Sequence, residues 1–169
     1  LSWKHRIKER FTYGLNLFYI NGSNMIETVS VDGRPRNVNT GKIENTGAEL
    51  SVSWHINSHW DVNTNHSILH MSNPVLAAPE YKGYLGGNYQ QGKWSIHAGL
   101  MQLAGLYTAT GKNTKKENVT LLNMTTEYHF LKSTRLWVRG ENLLAQHYEV
   151  IDGFPMPKAT FMGGVSFTF

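Results

Sequence analysis

Over residues 47–56 every second side chain is apolar. Ala48, Leu50, Val52, Trp54 and Ile56 fall on one side, and Glu49, Ser51, Ser53 and His55 on the other. Successive side chains of an extended chain point to opposite faces, so this period of two predicts a strand with one apolar and one polar face. The pattern returns over residues 120–130, where Leu122, Met124, Tyr128 and Phe130 oppose Asn123, Glu127 and His129. It closes the chain over residues 160–169, where Phe161, Val165, Phe167 and Phe169 oppose Thr160, Ser166 and Thr168. Looser versions cover residues 10–20, 60–70, 80–90, 94–108 and 135–143. That makes about eight strands, each near the ~9–11 residues that cross a bilayer when tilted.

No run approaches the ~18 consecutive apolar residues of a membrane helix. A chain that is polar on average can still cross a membrane as a barrel, because every second residue faces the lumen. The connections support that form. Short turns at Asn57-Ser58, Gln91-Gly92 and Leu131-Lys132-Ser133 alternate with longer loops at residues 21–45, 72–78, 109–118 and 145–158. Outer-membrane barrels have this asymmetry, short on the periplasmic side and long outside the cell. Beside the short turns lie Trp54, Trp60, Tyr89, Trp94 and Phe130. A ring of amphipathic aromatics at one height is what a membrane–water interface selects. Phe11 and Phe169 are expected at the same level.

Cysteine is absent, so disulfides and thiolate metal sites are excluded. The net charge of +4 is spread thinly, with Lys4, Arg6, Lys8 and Arg10 the densest group, and gives no footprint for nucleic acid. Residues 1–4 carry no export leader, so a signal peptide is expected to lie upstream or to have been removed.

The last third carries the most specific motifs. Asn142-Leu143, Tyr148, Gly153-Phe154-Pro155-Met156-Pro157 and a final strand ending in Phe169 resemble the closing hairpin of TonB-dependent outer-membrane receptors. Lys158-Ala159 stands where that family usually has Gly-Arg. Residues 45–50 resemble the family's strand after a long external loop. Asn24-Met25-Ile26 resembles the strand end before that loop, and residues 79–82 the start of a downward strand. The resemblance implies a ~22-stranded barrel plugged by an N-terminal domain. Residues 1–169 would then be the C-terminal arc of its wall, all-β and antiparallel, without the plug or signal peptide. It further implies a transporter and not an enzyme, located in the outer membrane and taking up a scarce nutrient such as an iron–siderophore, haem or cobalamin. The implied partners are membrane lipid, the receptor's own plug, TonB, the barrel assembly machinery and the nutrient. No cofactor is implied. Gly164, Phe167 and Phe169 resemble the signal by which the assembly machinery recognises such barrels, although Met162 stands where a polar residue is usual. Read without it, they are a lipid-facing stripe.

Two constellations invite other chemistry. His66 and His70 share a face with His55 and His59 nearby, but positions four apart on a strand lie about 13 Å apart, too far to share a metal ion. His55 and His59 flank a turn and could meet, yet lumen or interface histidines are the commoner case. Glu49, Glu127, Arg139 and Glu141 should face the lumen as ion pairs and hydrogen bonds rather than as a catalytic pair. Two further readings compete with the receptor: a self-contained barrel of ~8 strands with a structural or adhesive role, and a soluble lipocalin-like binder.

Overall fold

The computed structural model describes residues 1–31 and 33–168, apart from the side chains at 25, 27–31, 40 and 41. Nine strands form one antiparallel sheet: β1 (Ser2–Ile7), β2 (Phe11–Val31), β3 (Arg34–His55), β4 (Trp60–Met71), β5 (Tyr81–Gln91), β6 (Trp94–Ala109), β7 (Lys115–Leu131), β8 (Thr134–Glu141) and β11 (Thr160–Phe167). Each pairs with the next in that order, from β1 at one edge to β11 at the other. Two short strands, β9 (Glu149–Ile151) and β10 (Phe154–Pro155), form a separate pair in the connection before β11. A single 3-10 turn over Gly111–Asn113 joins β6 to β7.

The expected strands are present, with two corrections. β1 adds a ninth, pairing Trp3 with Leu15 and Ile7 with Phe11. Its Trp3, His5 and Ile7 alternate with Lys4 and Arg6, so a charged stretch is itself a half-apolar strand. The expected loop at 21–45 is instead the outer half of the β2–β3 hairpin, whose register runs from Phe11↔Trp54 to Val31↔Arg34 with irregularities around Met25. There apolar residues no longer recur at every second position, as the adjacent Met25 and Ile26 show, so the period-two signal fades although the ladder continues.

The register keeps the alternation coherent across the sheet. Phe11 pairs with Trp54, Leu15 with Leu50, Leu85 with Leu100, and Leu100 with Leu122. The apolar face is left open: Ile68 is 60 % and Phe161 70 % exposed. A lipocalin buries its apolar residues inside, and soluble monomers rarely leave more than a few hundred Å² of contiguous apolar surface. This sheet has the opposite polarity, which suits contact with hydrocarbon.

Buried hydrophobic residues concentrate at the long-loop end. Leu106, Val119 and Leu121 form the cluster there, backed by Met101, Leu103 and Tyr148. Gly105, at φ +62°, supplies the left-handed residue at a bulge where three β6 steps oppose two on β7. The extra residue turns Leu106 onto the polar face, beside Val119, and Tyr107 onto the apolar one.

Candidate functional site

The polar face is a wall of cross-strand partners. Asn16 Nδ2 donates to Glu49 Oε2 at 3.1 Å. His55 Nδ1 lies 2.6 Å from Asp61 Oδ1. His97 Nδ1 donates to Asn88 Oδ1 at 2.6 Å, which leaves Nε2 to accept from the Tyr84 hydroxyl at 3.3 Å. Arg135 reaches Glu127 at 3.3 Å, and Arg139 reaches Glu141 at 2.6 Å. Asp61, Asn88 and His97 stand opposite one another on three successive strands. A hollow of about 450 Å³ opens on this face between Lys4, Asn16, Glu49, Asn65, Lys82 and Tyr84. The expected lumen carboxylates are thus satisfied by amides and cations.

The histidines are held apart. His55 is turned to Asp61, whereas His59 Nδ1 lies 3.0 Å from the Gln90 carbonyl oxygen. His66 sits on the apolar face between the Thr64 hydroxyl at 2.8 Å and the Tyr81 hydroxyl at 2.7 Å, with its ring stacked on Tyr81. Among the described residues no three His, Asp or Glu side chains converge as metal ligands.

At the short-turn end the aromatics gather in one row. Trp60 and Tyr89 are directly paired, their ring centroids 4.7 Å apart. Phe11 meets Trp54 edge-on at 6.4 Å. Trp94 packs on Tyr128 at 4.8 Å, not on Tyr89 across its own turn. Phe130 lies a step nearer the turn and is 55 % exposed. Tyr128 belongs to this row too; reading outward from the turns alone singles out Phe130, because the β6–β7 register is set across a long loop. On β11, Phe167 pairs with Thr134 and is exposed, and Gly164 lies beneath the Trp137 ring. Phe169 lies outside the described residues.

The closing-hairpin residues meet at the opposite end. Asn142 is only 5 % exposed and adopts φ +47°, a conformation Asn tolerates better than most residues. Its backbone N–H donates to Asn123 Oδ1 at 2.8 Å. Its side chain accepts from Gln146 N at 3.1 Å and donates to the carbonyl oxygens of Gln146, at 2.8 Å, and Pro157, at 3.1 Å. The next residue, Leu143, ties its N–H to Leu122 O. Gly153 closes the β9–β10 turn and donates to Glu149 Oε2 at 2.7 Å. Pro155 pairs with Glu149 across an irregularity. Tyr148 packs on the Leu106 cluster, where burial, and secondarily the Glu141 charge, push its hydroxyl pKa upward. Gln146 Oε1 accepts from Thr120 N, Asp152 N donates to Thr108 O, and Lys115 holds Asp152 at 2.7 Å. Residues 142–158 therefore fold inward over the polar face of β6–β7.

A second external cluster was not foreseen. Glu80 accepts from Lys116 Nζ at 2.7 Å and from the Tyr107 hydroxyl at 2.8 Å, and Lys116 stands 4.5 Å from the Tyr107 ring centroid. Glu80 immediately precedes β5, whereas Tyr107 and Lys116 lie at the outer ends of β6 and β7, so no local pattern joins the three. The hydrogen bond from Lys116, reinforced by that from Tyr107, holds the Glu80 carboxyl pKa below its ordinary value.

An open antiparallel sheet with an apolar outer face, a hydrogen-bonded polar face, short turns at one end and folded loops at the other defines a stretch of transmembrane β-barrel wall. The chain belongs to the TonB dependent receptor-like, beta-barrel family, whose profile matches residues 1–143. This is a family of transport receptors rather than enzymes, found in the outer membrane of Gram-negative bacteria. No curated protein matches by sequence. The fold is similar to that of the copper transporter OprC, with a TM-score of 0.81, 15 % identity, and coverage of 99 % of this chain and 30 % of that one. It is also similar to the ferric yersiniabactin uptake receptor FyuA from Yersinia pestis, with a TM-score of 0.78, 14 % identity, and coverage of 98 % and 29 %. The closed form of the ferric-catecholate import receptor Fiu from E. coli K12 gives a TM-score of 0.74, 18 % identity, and coverage of 96 % and 26 %. The chain therefore spans about 30 % or less of the length of these structures.

Proposed function

We propose that this chain is the C-terminal part of the barrel wall of a receptor that takes up a metal-bearing nutrient, with an iron–siderophore the favoured cargo over haem or cobalamin. The carrying observation is the polarity of the nine-stranded sheet, apolar outside and hydrogen-bonded inside, in a chain of this family. An open sheet of this kind leaves two unpaired edges, at β1 and β11, which lipid does not tolerate. Further strands of the same receptor would satisfy them, which favours this reading over a self-contained eight-stranded barrel. In the whole receptor a plug domain would sit against the polar face, TonB would supply energy from the inner membrane, and the barrel assembly machinery would read Gly164, Phe167 and Phe169. The aromatic row would mark the periplasmic lipid interface.

The cargo would be met by the external connections at residues 21–45, 72–78, 109–118 and 145–158. Exposed Arg34, Arg36 and Lys112 at their tips suit an anionic chelate. The similarity in fold to ferric-siderophore receptors supports iron as the metal, and the similarity to a copper transporter makes copper the second candidate. The test is uptake of radiolabelled ferric siderophores by iron-starved cells that produce the receptor with Arg34, Arg36 and Lys112 changed to Ala. Uptake should fall at least tenfold at unchanged receptor abundance. Uptake equal to wild type would remove these loops from cargo binding, and uptake of copper alone would reassign the metal.

A further inference from the structure

The lysines at the two ends of the wall are paired differently: the long-loop end mixes carboxylate-bound lysines with the exposed Lys112 and Lys158, whereas the lysines of the short turns hold no carboxylate among the described residues. At the long-loop end Lys42, Lys115 and Lys116 each hold a carboxylate: Glu44, Asp152 and Glu80. At the short-turn end Lys8, Lys93 and Lys132 are exposed, and among the described residues none of them has a carboxylate within 4.0 Å. Glu9 is the acidic residue of those turns and makes no ion pair among the described residues. The lysines occupy three of the four turns, directly below the aromatic row. Lys93 leans outward, its Nζ 3.4 Å from the Phe130 carbonyl oxygen and 5.9 Å from the Tyr128 ring centroid. With strands about 4.8 Å apart, the Lys93 and Lys132 turns are about 10 Å apart and the Lys8 and Lys93 turns about 19 Å, so each can meet a separate headgroup.

We infer that this rim binds the phosphates of anionic phospholipid, phosphatidylglycerol being the test case, through Lys8, Lys93 and Lys132. The inference rests on the outer-membrane reading and adds a lipid preference and the residues that set it. A lysine beside an anionic headgroup gains a preference on the order of fivefold over a zwitterionic one. Aromatic rings above it hold the turn at headgroup depth. Unpaired cations are needed for this: a lysine already bound to a carboxylate presents no net charge to the lipid. Salt should weaken the preference, because the contacts are exposed.

The test uses the full-length receptor in phosphatidylcholine vesicles containing, at equal mole fraction, either phosphatidylglycerol or phosphatidylcholine brominated near the headgroup. Tryptophan quenching then reports which lipid occupies the rim. Wild type should favour the brominated phosphatidylglycerol about fivefold at low salt. The Lys8→Gln, Lys93→Gln, Lys132→Gln triple variant should lose that preference, while Lys112→Gln with Lys158→Gln at the other end should keep it. Equal quenching by the two lipids in wild type, or an unchanged preference in the triple variant, would overturn the inference while leaving the membrane assignment intact. Loss of the preference in the Lys112, Lys158 variant would place the site at the wrong end. Absence of quenching by either lipid would instead strike the outer-membrane reading itself.

Discussion

Replacing Asn142 with Ala should release the closing loop without disturbing the wall. The side chain makes three hydrogen bonds, one accepted from Gln146 N and two donated to Gln146 O and Pro157 O. At about 1 kcal/mol net each, their loss costs about 3 kcal/mol. Ala in the left-handed conformation that Asn142 holds adds about 1 kcal/mol. The total of about 3–4 kcal/mol corresponds to an increase in loop opening of about 100- to 1,000-fold. Hydrogen exchange read by mass spectrometry on the purified receptor measures this directly. The amides of Glu149, Asp152 and Met156, which donate to Glu117, Thr108 O and Tyr148 O, should exchange faster by that factor. Central β6 and β7 amides should not change. Asn142→Gly keeps the backbone conformation and loses only the bonds, so its acceleration should stop near 100-fold. Exchange of residues 144–158 within about threefold of wild type in both variants would refute the latch and make Asn142 a bystander.

The Glu80 cluster predicts a pH effect of defined sign. Its carboxyl pKa is lower folded than its ordinary value of 4.5, so its contribution is fully present above that value and is lost as the pH falls through the folded one. Protection of the Ala77 and Glu80 amides, which donate to Tyr107 O and Gly105 O, should fall on acidification below about pH 4.5, and Glu80→Gln should abolish that pH dependence. At Gly164, a Cβ would lie 2.9 Å from the Trp137 ring. Gly164→Ala should therefore lower the yield of folded, heat-modifiable receptor, and Trp137→Leu should restore it. Failure of that rescue would favour recognition of Gly164 by the assembly machinery over packing.

What was legible in the sequence follows from what the lipid imposes. Residues 47–56 and 120–130 read cleanly as strands because one face must be apolar across the whole bilayer. The same logic marked Trp54, Trp60, Tyr89 and Trp94 from their nearness to short turns. It could not give the Trp94–Tyr128 contact, because β6 and β7 are joined by a long loop and their register cannot be counted from a turn. The β2–β3 hairpin beyond residue 21 faded from view for another reason. Once apolar residues stop recurring at every second position, alternation carries no signal, although the backbone ladder persists. The inward fold of residues 142–158 depends on amide hydrogen bonds from Asn142 and Gln146, and such bonds have no period.

The strands and the long-loop end are therefore held together in different ways. Along the strands polar side chains are met by cross-strand partners, as Asn16 by Glu49 and His97 by Asn88. A substitution there disturbs a neighbour on the next strand. At the long-loop end cohesion comes from a few local anchors: Asn142 with Gln146, Lys115 with Asp152, and Glu80 with Lys116 and Tyr107. Between those anchors, tips such as Arg34, Arg36 and Lys112 are exposed and can vary at little cost to the barrel. The wall needs the alternation of its faces and the pairing of its strands more than particular residues, which agrees with similarity in fold to solved structures at 14–18 % identity.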